Sequence, residues 1–288
     1  MPKLILRADD LGISEGVNYG IYKAVSEGAI SCVGLMSNMP TAEHGYNLVE
    51  KVCTCIGVHL NICLGNSVAD FAEIPSLVNE EGLFYTSREI NLREKDTVDL
   101  EECMIEIKAQ IDRFEQITGK KPDYVDGHAI MSPIFFQAIK AVADERHLFF
   151  SMPSFDKKWE NENEIYGLEL LRFNERGLYD PRKYFESNLV KMNVQYCSIA
   201  VFHPGFLDQF ILDHSSYTFI RPMECEFLCS EWLKNWIEQN NIEIVDFNNY
   251  QDAKGGIHDE KNNITVCSRN VNEFIGKKNG ASSAGRKF

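Results

Sequence analysis

The stretch LILRADDLG, residues 4–12, decides the fold. An apolar run of strand length ends in two adjacent carboxylates, Asp9 and Asp10, where a simple turn would need none. Near-continuous apolar runs are the mark of strands buried on both faces, as in parallel sheets covered by helices. In such folds the C-terminal ends of the strands carry the chemistry, so paired aspartates at that position are read first as functional candidates.

Working outward, strand-length apolar runs alternate with helical periodicity along most of the chain. Ser14 caps a predicted helix whose stripe is Val17, Ile21, Ala24 and Val25, with Gly28 near its end. A second strand is predicted in ISCVGLMSN (30–38), then a helix over 41–52, then a third strand in CIGVHLNI (55–62). Residues 66–97 are polar and irregular, the composition of a substrate-covering loop. A helical stripe over 98–118 ends at Gly119, and DYVDGH (123–128) is a short strand with a polar end. A helix over 133–146, with Pro133 in its first turn, feeds HLFFSM (147–152). Further strands are predicted at 168–173, 197–202 and 242–247, with helices near 181–192 and 222–239.

The count predicts an α/β fold: a single-domain variant (β/α) barrel of seven or eight mostly parallel strands over residues 1–253. An open doubly wound sheet is the alternative. Residues 254–288, rich in Lys, Asn, Gly and Ser, have the composition of a loosely ordered polar tail.

Composition sets limits on partners. With 44% apolar residues, 11% aromatic residues and a formal charge of −14, the chain has material for a core and repels polyanions. A nucleic-acid or anionic-membrane partner would need a basic patch, and none is visible; a small substrate fits better. Nine cysteines, odd in number and mostly within apolar runs, read as reduced core residues, and the spacings 53/55 and 225/229 lack the gap of a zinc knuckle. No secretory h-region or membrane-length apolar stretch is present, so a cytoplasmic location is expected.

Four places share one pattern, an apolar run followed by a residue able to bind metal or move protons: LILRADD, IGVHLN, DYVDGH and SIAVFHPG. A parallel barrel opens all strand C-termini on one face, so Asp9, Asp10, His59, Asp126, His128 and His203 are expected to share a pocket. One carboxylate and two imidazoles can hold a divalent ion while leaving positions open, which selects Asp10, His59 and His128 as ligands. Asp9 is then the candidate base and His203 the candidate proton donor to a leaving amine. Each has a bland alternative: an aspartate at a strand end caps a helix, and a histidine in an apolar run is a hydrogen-bonded core residue. Asp126 is a candidate orienter of a ligand, whereas Arg172 and Asp208 stay unassigned. The histidines at 44, 147, 214 and 258 lack the pattern.

The ordered set ADDLG, GVHLN, VDGH and HPG resembles the YdjC-like carbohydrate deacetylases, which include the chitooligosaccharide deacetylases, from about residue 3 to 250. The resemblance implies a variant (β/α) barrel that removes acetyl groups from N-acetylglucosamine-type mono- or oligosaccharides. It implies a magnesium ion on Asp10, His59 and His128, Asp9 as base, His203 near the reacting amide, and a homodimer. Ligand chemistry alone favours zinc or another transition metal. The chain departs from the family in DGHAIMSP, where Ala129 to Ser132 replace a histidine-rich run. Two other classes compete: a metal-dependent sugar isomerase or lyase, for which no lysine stands at the strand ends, and a non-catalytic sugar-binding barrel, which has no use for Asp9.

Overall fold

A computed structural model describes residues 1–152, 157–169 and 173–251. Its seven strands are β1 (Lys3–Leu11), β2 (Cys32–Leu35), β3 (Cys55–Leu60), β4 (Val125–Gly127), β5 (Ile165–Gly167), β6 (Cys197–Phe202) and β7 (Glu243–Val245). The helices are α1 (Glu15–Ser26), α2 (Ala42–Val49), α3 (Ser87–Asn91), α4 (Leu100–Thr118), α5 (Pro133–Arg146), α6 (Lys157–Asn163), α7 (Pro181–Met192), α8 (Gln209–His214), α9 (Ile220–Leu228) and α10 (Glu231–Gln239).

All pairings between the strands are parallel, in the order β4-β3-β2-β1-β6-β5, with β7 on the first half of β1. The sheet is an incompletely closed barrel, since β4 and β5 end the order without pairing to each other among the described residues. The expected strand at 147–152 contributes one parallel bridge, Phe150 to Val125. A strand stands at Ile165–Gly167, just before the one expected at 168–173, of which residues 170–172 fall outside the described residues. The helix expected over 222–239 is two helices, α9 and α10, because Ser230 starts a new one by accepting from Leu233 N. Elsewhere the local signals operate as read: Ser14 Oγ accepts from Val17 N, Pro133 opens α5, and Gly119 ends α4 in the left-handed conformation. Residues 254–288 lie outside the described residues.

Strand alternation divides β1 into two environments. Leu4, Leu6 and Ala8 pack with the apolar stripes of the helices, including Val17, Ile21 and Ala24 of α1. Ile5 packs with Cys32, Cys55, Tyr124, Cys197 and Ile199 in a second, smaller core inside the sheet's curve. Arg7 and Asp9 continue that inward series, as do Gly34, His59 and Asp126 on their own strands, with His128 and His203 just past the ends of β4 and β6. The barrel interior is therefore apolar at its base and polar at its rim. The 66–97 insertion is pinned to α4, where buried Glu106 accepts from Val68 N and Ala69 N and Glu102 accepts from Ser76 N.

Candidate metal centre

Strict alternation would point Asp9 and Asp10 to opposite faces of β1. The backbone departs from it: Asp10 has φ of 74°, and the β1–β2 register shifts between Ala8 and Leu11. Aspartate tolerates this left-handed conformation better than bulkier residues do. The bulge brings both carboxylates into the barrel mouth, with Asp9 3% and Asp10 1% exposed. Gly34 on β2 leaves the necessary room, because a Cβ there would lie 3.1 Å from His59 Cβ and 3.3 Å from Asp9 Oδ1.

Asp10, His59 and His128 meet. Asp10 Oδ1 lies 3.0 Å from His128 Nδ1 and 3.4 Å from His59 Nε2, and the two imidazole nitrogens are 3.1 Å apart. His59 Nδ1 is 3.0 Å from Asp126 Oδ1, and since a carboxylate only accepts, that nitrogen carries a proton. In the neutral imidazole Nε2 then offers a lone pair toward Asp10 Oδ1, a buried oxygen that accepts no well-formed hydrogen bond. Acceptors converging at such distances fit a cation, whose ligands at about 2.1 Å stand roughly 3 Å apart at right angles. The donor set therefore fits a divalent ion.

Charge balance agrees. Three carboxylates, Asp9, Asp10 and Asp126, are accompanied by two buried guanidinium groups, Arg7 and Arg221. Arg221 Nη2 donates to Asp10 Oδ2 at 2.7 Å, and its Nε donates to the Tyr217 carbonyl at 2.8 Å. Arg7 pairs with Asp9 through Nε at 2.8 Å and Nη2 at 2.9 Å, and with Asp126 at 2.8 Å. Burial opposes charge on Asp10, but the charges of His128 and Arg221 outweigh it and hold the carboxyl well below its usual range. Burial likewise opposes charge on His59, and Asp126 and Asp9 outweigh it, so the imidazole titrates well above its usual range. Asp126→Asn should weaken binding of a divalent ion about 10–100-fold by calorimetry, because the His59 Nδ1–H would then face a neutral amide oxygen, a weaker acceptor than a carboxylate.

His203 stands beside this group. Its ring meets that of Tyr217 edge to face at 5.0 Å, and its backbone N–H donates to Glu224 Oε2. Burial pushes the His203 imidazole down to about 4, against the pull of Asp10 and Asp9. Asp208 does not orient it: Asp208 caps α8 by accepting from Ile211 N and also accepts from Gly16 N. Arg172 and His258 lie outside the described residues. His44 sits away from the centre against Tyr19 and Asn18, while His147 ends α5 and His214 ends α8.

Arg7, Arg221 and Glu224 are the site residues that sequence reading missed. Arg7 sits in the opening stretch, two residues before Asp9, and a cation inside an apolar run is a signal of a buried partner. Arg221 and Glu224 lie on α9 with no local mark. Burial raises the Glu224 carboxyl to about 7, against hydrogen bonds from His203 N and Tyr179 OH that favour its charge. Between about pH 4.5 and 7 the native state then holds a proton that the unfolded chain has released, so this contribution to stability falls as pH rises. The effect is on the order of 3 kcal/mol, and Glu224→Gln should flatten the difference between urea melts at pH 5 and pH 8. An unchanged difference would show that Glu224 does not titrate there.

The family profile described as YdjC-like protein matches residues 3–239. Carbohydrate deacetylase 2 of Listeria innocua is 33% identical over 260 residues, covering 85% of this chain and 97% of the relative. Chitooligosaccharide deacetylase of Yersinia enterocolitica is 28% identical, covering 82% and 94%. Among solved structures, a putative cellobiose-phosphate cleavage protein from Enterococcus faecalis superposes with a TM-score of 0.74 at 24% identity, covering 85% of this chain and 97% of that one, which supports the fold. With a profile match across most of its length and the bulged Asp-Asp strand end at its centre, the chain belongs to the YdjC-like protein family.

Proposed function

We propose that the protein is a metal-dependent carbohydrate deacetylase, which hydrolyses the N-acetyl group of an N-acetylglucosamine-type mono- or oligosaccharide to acetate and a free amine. The convergence of Asp10 Oδ1, His59 Nε2 and His128 Nδ1 beside Asp9 and His203 carries this reading, together with relatives named carbohydrate deacetylase. Asp10, His59 and His128 would hold one divalent ion. Bound there, such an ion supplies a water of lowered pKa and polarises an amide carbonyl.

The chain's own groups do the rest. Asp9, oriented by Arg7, takes the proton of the attacking water. Asp126 fixes the His59 ring so that Nε2 faces inward. His203, protonated from solvent as negative charge builds on the substrate, delivers that proton to the departing nitrogen, and Asp9 returns the water's proton to solvent. Arg221 holds Asp10 by one oxygen and leaves the other turned to the imidazoles. An assay of acetate release against aldose-ketose conversion separates this reading from a lyase or isomerase working on the same centre.

One carboxylate oxygen with two imidazole nitrogens suits zinc, manganese, cobalt or iron better than magnesium, which favours oxygen shells. Among the described residues no helix is long and apolar enough to cross a membrane. The test is elemental analysis of purified protein combined with acetate release from a panel of N-acetyl sugars. Metal-dependent acetate release supports the reading; unchanged sugars with every divalent ion tried would refute it.

A further inference from the structure

The centre holds two overlapping groups of potential ligands. Beside Asp10, His59 and His128, the residues Asp9, His59 and Asp126 also bring ligand atoms within 4.8 Å of one another, and all three are buried. Two neighbouring ions are a common solution for hydrolysis, and here the residue common to both groups is His59. In this chain the second position is filled by protein. The Arg7 guanidinium reaches Asp9 Oδ1 through Nε at 2.8 Å, Asp9 Oδ2 through Nη2 at 2.9 Å and Asp126 Oδ2 through Nη2 at 2.8 Å. Its remaining Nη1 donates to Ser151 Oγ at 3.0 Å, and the Tyr124 ring lies 5.8 Å from its Cζ. Arg7 is 8% exposed, Asp9 3% and Asp126 2%, so the guanidinium and both carboxylates are packed together away from water.

We infer that the Arg7 guanidinium stands in the place of a second cation and keeps this centre to one divalent ion. The inference rests on the metal-dependent reading above and deepens it. A fixed guanidinium neutralises Asp9 and Asp126 without offering open coordination positions, so chemistry that needs a water bridged between two ions is closed to this protein. It also explains why Asp9 sits in the first group's neighbourhood without joining it.

The experiment counts ions per chain after equilibration with excess manganese(II), by elemental analysis of the desalted protein, with the electron paramagnetic resonance spectrum as a second readout. The wild-type protein and Arg7→Lys should each hold one ion and give an uncoupled spectrum. Arg7→Ala should hold two, give a spin-coupled spectrum, and melt at a temperature that rises steeply with manganese; adding Asp126→Asn should return it to one ion. If Arg7→Ala does not fold, Arg7→Gln, which keeps the side-chain stem without the charge, provides the same count. Two ions in the wild-type protein, or a folded uncharged variant that stays at one, overturns the inference. No ion at all in the wild-type protein is a different result, since it removes the metal-dependent reading itself.

Discussion

His59→Ala is expected to abolish both metal retention and acetate release while leaving the fold in place. His59 is the hinge of the centre, facing Asp10 Oδ1 and His128 Nδ1 through Nε2 and Asp126 through Nδ1. Removing it deletes one of the proposed ligands and leaves Asp126 paired with Arg7. A bound ion is worth several kcal/mol of transition-state charge stabilisation, so activity should fall by about a thousandfold or more. The fold survives because the deleted ring sits at the polar rim, above the apolar layer of Ile5, Cys32 and Cys55. Far-ultraviolet circular dichroism, elemental analysis and acetate assays on one preparation check all three statements. A metal-free His59→Ala protein with full activity would show that the centre is structural.

Arg221→Met is expected to be strongly destabilising in the metal-free protein. Arg221 is 1% exposed and Asp10 1% exposed, and among the described residues their contact at 2.7 Å is the strong charge compensation Asp10 has besides the imidazoles. Removing one partner of a buried pair leaves an uncompensated charge at a cost of about 3–5 kcal/mol. For a domain of this size that corresponds to a fall in Tm on the order of 10 °C. Two controls separate charge from packing. The double variant Asp10→Asn with Arg221→Met should recover much of the loss, and a saturating divalent ion should recover part of it in the single variant, by binding the native state alone. If neither restores stability, the loss comes from the severed bonds to Tyr217 and Ser215 rather than from Asp10.

Much of this centre was legible from residues that recur at strand ends. Asp9, Asp10, His59, His128 and His203 follow apolar runs, and a parallel sheet places the ends of those runs together whatever the loops between them do. Helix limits were legible for the same local reason: Ser14, Pro133 and Gly119 act on backbone groups a few residues away. The misplaced elements are the short ones. β5 has three residues and the 147–152 strand shrinks to one bridge, and over such lengths an apolar run cannot distinguish a paired strand from an extended segment packed under a helix. The split between α9 and α10 was missed because the apolar periodicity continues past Ser230 with only a capping hydroxyl to interrupt it.

The sequence by itself determined the alternation of strand and helix, the parallel sheet, and the types of side chain available at its rim, because periodicity and capping are set by near neighbours. Only the tertiary structure decided how those side chains are charged and aimed. Asp10 turns inward through a left-handed residue and a bulge, and it is held by Arg221, 211 positions away. Arg7 bridges Asp9 to Asp126, and Glu224 meets the backbone of His203. Ion pairs between distant segments leave no periodic trace in the chain, since their energy depends on burial and separation in space, which exist only once the barrel has closed around them.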